Sequence, residues 1–312
     1  MENPSTASTA VNRTSDLGVR YLSCNSVNQD ANESSTISRS RSRNAMDTFG
    51  YGIRTKIGAW NIRSLYGEGR YEQLERKMLC LKISILGISE TKWRGRTEYR
   101  SDTGQTRMLY SGEDERESGQ RLHGAGIMLN KVARRSLISW APISEGIMTA
   151  RFRSRIRNIT IVQCYAPTNE ATEKDKTAFY THLNSVYSSV PRADNHNRYV
   201  RPQRLSRCRQ LRSGTSYGKK WLGSRNENGG MLVDFCNADH LVIGGTVFKH
   251  KTCNKVTWVL PDGHTENQIE YIMIQQRWRK SMCDVRNIRN ADVGSNPHLV
   301  VMSLNLKTAA VL

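Results

Sequence analysis

The sequence of 312 residues has no apolar run that approaches the eighteen or so residues of a membrane span. Its first ten residues also lack the apolar region of a secretory signal peptide. We therefore expect an intracellular protein, nuclear or cytoplasmic. The seven cysteines form no CxxC or CxH pair, which argues against zinc-binding and redox motifs. Because several of them lie in apolar runs, we expect most to be buried thiols.

Acidic residues are missing from one stretch of the chain. Residues 195–220, here called the basic window, contain eight Lys or Arg and no Asp or Glu. They supply eight of the nineteen net positive charges, and the overall charge of +19 favours a polyanionic partner such as DNA or another nucleic acid. Two interpretations of the window stay open, an arm that binds phosphates and an accidental accumulation of arginine.

The beginning of the chain lacks apolar periodicity. Residues 1–50 are rich in Ser, Asn, Thr and Arg, and their five Arg are balanced by five acidic residues. We expect a disordered tail over residues 1–52, followed by a single domain over residues 53–307. Ser and Arg alternate over Ser38–Arg43. This run is either a nuclear-localising signal or part of a solvated tail.

Apolar residues recur at helical spacing in three places after the tail. These stripes predict helices near residues 71–81, 179–190 and 231–236. The proposed N-caps are Thr168 or Thr172 for the second helix and Asn228 for the third.

Strand signals separate the helices. The predicted strands are Ile57–Asn61, Ser84–Glu90, Ala125–Asn130, Ile147–Arg153, Asn158–Tyr165, Leu241–Ile243, Val256–Val259, Ile269–Ile274 and His298–Leu304. Mixed strands with helices outside them predict an α/β fold, a four-layer sandwich of two mixed β-sheets flanked by helices. The basic window has few apolar residues, so one strand region is expected to be disrupted and replaced by an irregular insert.

Two polar residues follow neighbouring predicted strands. Asn61 ends one apolar run, Glu90 ends the next, and a predicted helix connects them. In a strand–helix–strand unit the two strand ends emerge side by side, which is where open α/β sheets place their sites. One carboxylate and one neutral oxygen donor suit Mg²⁺, because this ion keeps most of its water ligands.

A family resemblance follows from motifs that occur in order along the chain. The strings are WN, ETKW, CYAP, NQIEYI and GSNPHL, with HGAGIML and NENGGMLVDF among the flanking text. From about Lys56 to Leu306 the sequence resembles the endonuclease/exonuclease/phosphatase superfamily. Within it, the text is similar to the apurinic-type endonuclease domain of LINE-type (non-LTR) retrotransposons and to craniofacial-development-protein-like host copies. The similarity is broken only in the basic window.

The resemblance implies a fold, a reaction and roles for three residues. The family has a four-layer α/β sandwich and hydrolyses phosphodiesters of DNA with Mg²⁺. By position, Glu90 would hold the metal ion, Asn61 would help to order that site, and Tyr165 would hydrogen-bond the phosphate. A metal ion that neutralises developing charge, together with a base that activates water, is a coherent mechanism.

Two departures from the family pattern affect the hydrolytic groups. The family ends in Gly-Ser-Asp-His, whereas Gly294-Ser295 is followed here by Asn296 and Pro297. His298 lies one residue further along, so in a strand its side chain faces the opposite side and is a weak substitute. The family aspartate that orients the histidine falls at Glu270, whose extra methylene makes it a weak counterpart.

The third departure is the absence of a Gly-Asp-Phe-Asn-Ala strand end before the NENG string. The basic window lies where this strand is expected. Codons can be chosen for Arg198–Arg204 and Ser206–Arg212 so that a one-base forward shift reads A-M-S-D-L-N-A and V-G-A-D-N-S-G. This text is very similar to the family motif. We hypothesise that the window is a frameshifted form of the catalytic strand, with the frame restored near Leu222.

These features predict a retrotransposon-derived endonuclease fold that is catalytically impaired or inactive. The alternative is a non-catalytic, basic relic that binds nucleic acid. The expected partner is DNA or another nucleic acid, with no membrane and no obligate protein partner. The expected cofactor is Mg²⁺, bound more weakly than in an intact family member.

Overall fold

A computed structural model describes most of the predicted domain. It covers residues 20–27, 49, 52–113, 123–154, 158–190, 227–259, 266–289, 291 and 298–306. The basic window, the Ser-Arg alternation and the Gly294–Pro297 string lie outside these residues. Within this part of the chain, no helix is long and apolar enough to cross a membrane.

The first sheet has seven strands and contains both parallel and antiparallel pairs. Its order is β14-β15-β2-β3-β6-β5-β4, and β2 and β3 are the parallel pair. The strands are β2 (Arg54–Asn61), β3 (Ile85–Ser89), β4 (Arg96–Arg100), β5 (Thr106–Ser111), β6 (Ala125–Asn130), β14 (Met282–Ile288) and β15 (Leu299–Asn305).

The second sheet has six strands in the order β10-β13-β1-β9-β8-β7. They are β1 (Arg20–Val27), β7 (Leu137–Ser144), β8 (Ile147–Phe152), β9 (Asn158–Tyr165), β10 (Leu241–Ile243) and β13 (Glu270–Gln275). A separate two-stranded ribbon joins β11 (Trp258–Val259) to β12 (Glu266–Asn267).

Helices cover the outer faces of the two sheets. The helix α1 (Arg70–Cys80) buries Leu74 and Met78 in a cluster with first-sheet residues such as Leu86. The helices α3 (Glu173–Ser189) and α4 (Glu227–Ala238) pack on the second sheet. A short helix, α2 (Lys131–Ser136), follows β6.

A hydrophobic core between the sheets joins the two halves. It includes Ile57 and Ile85 of the first sheet together with Ile161 and Ile272 of the second. The predicted α/β class, with helices outside mixed strands, is therefore confirmed in the described residues.

The helix caps agree with the sequence in one case and differ in the other. Thr172 caps α3, since its hydroxyl accepts the Asp175 backbone N–H at 3.2 Å. Asn228 was expected to cap α4 but lies inside that helix, fully buried. Its side-chain amide instead donates to the Pro167 carbonyl at 3.0 Å, which ties α4 to the end of β9.

The strand β1 corrects the expectation that residues 1–52 form a tail without regular structure. Its eight residues pair with β9 on one side and with β13 on the other. Backbone pairing on two sides gives Arg20–Val27 an order that the Ser- and Asn-rich composition of the surrounding residues did not predict, because tertiary context overrides local propensity.

Candidate metal and phosphate site

Asn61 and Glu90 are in direct contact at the ends of the two parallel strands. The pairing of β2 with β3 sets Asn61 opposite Ser89, the residue before Glu90. The Asn61 amide nitrogen donates to Glu90 Oε1 at 2.6 Å. The strand ends therefore bring together the two side chains that the sequence singles out.

Asn61 orients the Glu90 carboxylate. Its side chain is fully buried, and its amide oxygen accepts the Arg63 backbone N–H at 2.7 Å. Because one end of the amide is fixed by the backbone, the other end presents its N–H groups to the carboxylate in a defined direction. Asn61 is thus a positioning residue for Glu90.

Left-handed backbone conformations concentrate at this site. The φ angles of Arg63, Glu90 and Lys92 are 60°, 59° and 55°. Non-glycine residues rarely adopt this region, and such strain often occurs at functional sites, where the surrounding structure enforces it.

Thr91 fixes the loop that contains Glu90. Its side chain is fully buried, its N–H donates to the Gly124 carbonyl at 3.1 Å, and its carbonyl accepts the Leu65 N–H at 3.0 Å. A Cβ on Gly124 would lie 2.3 Å from the Thr91 hydroxyl, and the φ of Gly124 is +119°. Only glycine fits this approach.

The donor set at this edge fits a single, water-rich Mg²⁺ ion. Glu90 supplies one carboxylate, and Mg²⁺ often binds through one or two carboxylates and several waters. In the part of the chain that the structure describes, no group of three or more His, Cys, Asp or Glu side chains could hold a metal ion. Glu90 would be the metal ligand, and Asn61 would keep its carboxylate in place.

Tyr165 lies at the end of β9, beside a cavity of about 380 Å³. The cavity is also lined by His123 and Glu145. The His123 ring is centred 5.6 Å from the Tyr165 ring and tilted by 40°. The Tyr165 backbone N–H donates to the Gly146 carbonyl at 2.8 Å, which fixes the end of the strand.

Gln163 connects the two sheets next to the site. Its buried amide donates to the Ser89 hydroxyl at 3.1 Å and to the Ile88 carbonyl at 3.4 Å. Since Gln163 precedes Tyr165 by two residues and Ser89 precedes Glu90, this contact sets the Tyr165 strand against the Glu90 strand.

The backbone N–H groups of Glu270 and His298 both donate hydrogen bonds to Thr257. Glu270 is buried at the start of β13, and its backbone N–H donates to the Thr257 hydroxyl at 3.2 Å. The His298 backbone N–H donates to the Thr257 carbonyl at 2.7 Å. Backbone hydrogen bonds to Thr257 therefore hold near one another the two residues that are weak counterparts of the family aspartate and histidine.

One strand separates Tyr165 from Glu270. Arg20 is paired with Tyr165 on one side and with Glu270 on the other. Since neighbouring strands lie about 4.8 Å apart, the backbones of Tyr165 and Glu270 are roughly 10 Å apart.

Tyr271, next to Glu270, remains protonated at neutral pH. Burial raises the pKa of its phenol, and the adjacent Glu270 charge raises it further. The hydroxyl donates to the Gln268 carbonyl at 2.6 Å. Tyr271 therefore acts as a neutral structural donor.

Sequence reasoning missed His123, Gln163 and Thr257. His123 begins the HGAG string at the start of β6, which resembles family text but does not by itself indicate a role for the histidine. Gln163 is a polar residue in an otherwise apolar strand, which is a sign of a buried hydrogen bond. Thr257 lies in the predicted strand Val256–Val259, and its role depends on contacts with distant segments.

Comparison with known proteins supports this architecture. No protein-family model matches the chain. Craniofacial development protein 2 of Bos taurus is 33% identical over 257 residues, which are 80% of this chain and 41% of that protein. The Tragulus javanicus protein of the same name is 32% identical over 257 residues, 80% of this chain and 42% of its own length. The chain spans about two fifths of the length of these curated relatives.

Solved nuclease structures share the fold. The endonuclease domain of TRAS1, a telomere-specific non-LTR retrotransposon, aligns with a TM-score of 0.51 and 13% identity, over 81% of this chain and 99% of that domain. The AP endonuclease LMAP from Leishmania major aligns with a TM-score of 0.55 and 11% identity, over 81% of this chain and 88% of that structure. This chain has the endonuclease/exonuclease/phosphatase fold.

A third structure of this endonuclease/exonuclease/phosphatase fold gives the same result. The Xenopus laevis APE2 catalytic domain aligns with a TM-score of 0.54 and 13% identity, covering 80% of this chain and 92% of that domain. At such low identity these structures establish the fold alone.

Proposed function

We propose that this chain is a retrotransposon-derived endonuclease-fold protein that binds nucleic acid and has lost most or all of its hydrolytic activity. The observation that carries the proposal is a difference between two edges of the site. The Asn61–Glu90 pair is intact, with a 2.6 Å hydrogen bond and a strained, well-fixed backbone. By contrast, Asn296 and Pro297 stand where the resemblance places an aspartate and a histidine.

The roles proposed for the remaining site residues follow from their chemistry. Glu90 binds Mg²⁺, and the ion neutralises phosphate charge when it is bound. Asn61 positions the Glu90 carboxylate, and Tyr165 offers a phenol at the edge of the cavity as a hydrogen-bond donor to a phosphate oxygen. The domain that contains them is proposed to span residues 53–307.

The loss of hydrolysis is inferred from the groups that would activate water. Pro297 stands where the resemblance places a histidine, and proline has no side-chain donor or acceptor. Loss of one general base costs a factor of about 10²–10⁴ in rate. Because effects within one catalytic unit do not simply add, the combined loss at Pro297 and Glu270 is not the product of separate losses.

The frameshift hypothesis for the basic window belongs to the same proposal. Sequencing the codons of the gene tests it. Codons for residues 198–212 that give Asp and Asn when shifted forward by one base support it. Codons that give no such residues in the shifted frame reject it.

Binding of nucleic acid without cleavage is favoured by the charge, since +11 remains when the basic window is set aside. Fluorescence anisotropy with a labelled DNA duplex at several salt concentrations tests it. We expect the logarithm of affinity to fall with the logarithm of salt with a slope of about −4 or steeper, since each phosphate contact contributes about −0.9. Binding that does not respond to salt, or no binding, would reject a nucleic-acid partner.

A further inference from the structure

We propose that Arg20–Val27 is a donor strand that completes the second sheet from outside the domain. The slot between β9 and β13 is the acceptor, and the occupant is this chain's own N-terminal segment. This inference concerns the fold and does not rest on the proposed nucleic-acid function.

The pairing is extensive on both sides of the slot. Arg20–Val27 pairs antiparallel with β9 at eight positions, from Arg20 with Tyr165 to Val27 with Asn158. It pairs parallel with β13 at five positions, from Arg20 with Glu270 to Cys24 with Ile274. An interior strand with partners on both sides satisfies backbone groups of three strands at once.

The two acceptor strands do not pair with each other, because β1 lies between them. They flank one strand, so they are separated by roughly 10 Å, twice the spacing of paired strands. Seven of the eight residues of β9 and five of the six residues of β13 are buried. Without β1, their inner N–H and C=O groups would form two unpaired edges inside the domain, which is costly and promotes association.

The sequence of the donor fits a sheet interior better than the rest of the tail does. RYLSCNSV contains no Pro or Gly, and its single charge is Arg20 at the first position. Interior strands exclude Pro and disfavour Gly, which removes hydrogen bonds or packing. Residues 28–48, which follow, are rich in Ser, Asn and Arg.

The order of the elements indicates why this interior position is filled by a strand from the start of the chain. The chain runs from β9 through α3 and residues 191–226 to α4 and β10. The segment between α3 and α4 contains the basic window, whose composition is poor in strand-forming residues. A strand from the start of the chain fills the interior position next to β9, in the reverse direction to β9 itself.

Substitution in the full chain tests the proposal. Ser23, paired with Val162 and Met273, is changed to proline, which removes an N–H from the ladder. The matched control is Ser35→Pro, a serine of the same N-terminal segment outside β1. By hydrogen exchange, we expect amides of β9 and β13 to exchange about tenfold faster or more in S23P, while β2 and β3 stay protected. Unchanged protection of β9 and β13 in S23P would overturn the proposal.

If S23P does not fold, a disulfide cross-link between β1 and β9 tests the same pairing. Cys24 is paired with Ile161, and residues opposite each other in an antiparallel pair have Cβ atoms about 4.5–5.5 Å apart. Ile161→Cys is expected to form a disulfide with Cys24 on mild oxidation, identified by peptide mapping. The control, Thr160→Cys, belongs to the opposite face of β9 and is expected to cross-link far less. Equal yields in proteins whose first sheet remains protected would overturn the proposal.

Discussion

The two sheets of this molecule share a hydrophobic core but differ in how their site edges are built. In the first sheet, β2 and β3 are consecutive parallel strands, and their ends place Asn61 and Glu90 in contact at 2.6 Å. In the second sheet, Tyr165 and Glu270 lie on strands separated by β1, which comes from the start of the chain. The Asn61–Glu90 side of the site is thus assembled locally, whereas the Tyr165–Glu270 side depends on a distant segment.

Under the proposed function, the fold persists although part of its site has been lost. The shared core requires apolar residues on both sheets, and many sequences satisfy that requirement. A hydrolytic centre requires particular groups held to about 0.5 Å, so it is lost through a few changes. Substitutions in each sheet can therefore test stability and chemistry separately.

The largest expected effect comes from shortening one core residue in each sheet. Ile85 in β3 and Ile161 in β9 are fully buried in the same cluster. We expect Ile85→Ala and Ile161→Ala each to lower the free energy of unfolding by about 2–5 kcal/mol, because each leaves a cavity. Urea unfolding followed by circular dichroism measures both.

One outcome for the two isoleucine variants would contradict the packing of the two sheets. If Ile161→Ala left stability unchanged while Ile85→Ala reduced it, the second sheet would not be packed against the first as described here.

A smaller effect is expected at the hydrogen bond between the sheets. Replacing Gln163 with Leu removes the donor to the Ser89 hydroxyl and the Ile88 carbonyl, both in a buried setting. We expect a loss of about 1–3 kcal/mol in the free energy of unfolding. Ser89→Ala serves as the control, since it removes only one of the two bonds and should cost less. A neutral Gln163→Leu variant would show that the bridge does not position the two strands.

Mg²⁺ binding tests the metal role proposed for Glu90. At ten times its dissociation constant, an ion that binds only the folded state stabilises it by about 1.4 kcal/mol. We expect Mg²⁺ to raise the melting temperature of the natural chain and not that of Glu90→Ala. Glu72→Ala, on the exposed face of α1, is the control and should keep the response. An equal response of Glu90→Ala would place the ion elsewhere.

The smallest expected effect is a difference in thiol reactivity between buried and exposed cysteines. It is measured without any substitution. Cys164 and Cys236 are buried, whereas Cys80 and Cys283 are exposed. Burial raises the pKa of the Cys236 thiol, and the charge of Asp239 adds to this rise. Because the thiolate is the reactive form, we expect maleimide at pH 8 to label Cys80 and Cys283 at least about tenfold faster than Cys164 and Cys236. Peptide mass spectrometry measures the rates, and equal labelling would contradict the described burial.

The same thiols show that the sequence did not indicate which of the described cysteines are buried. Most cysteines were expected to be buried because several lie in apolar runs, yet only two of the five described are buried. Cys80 ends α1, and Cys283 lies in the edge strand β14, where one face is open to solvent. An apolar run therefore does not determine which of its members face outward.

Strands with strong apolar patterns were predicted well from the sequence. Ala125–Asn130, Asn158–Tyr165 and Leu241–Ile243 have the predicted bounds. The strands β4, β5, β7 and β14 were not predicted. Three of them, β4, β7 and β14, are edge strands, and β4 and β7 contain no fully buried residue.

The candidate site was only partly accessible from the sequence. Asn61 and Glu90 were found because consecutive parallel strands bring their ends together whatever the rest of the fold does. His123, Gln163 and β1 were not found, because their positions depend on contacts across many residues of chain. A polar residue in an apolar strand can signal a buried hydrogen bond, but the local pattern does not identify its distant partner.

Nicking of supercoiled plasmid DNA, with and without abasic sites, tests the central claim most directly. Purified full-length chain is incubated with Mg²⁺ and compared with Glu90→Ala and with buffer. The proposed loss of the hydrolytic groups predicts no nicking above buffer for either protein. Clear Mg²⁺-dependent nicking by the natural chain that Glu90→Ala abolishes would contradict it.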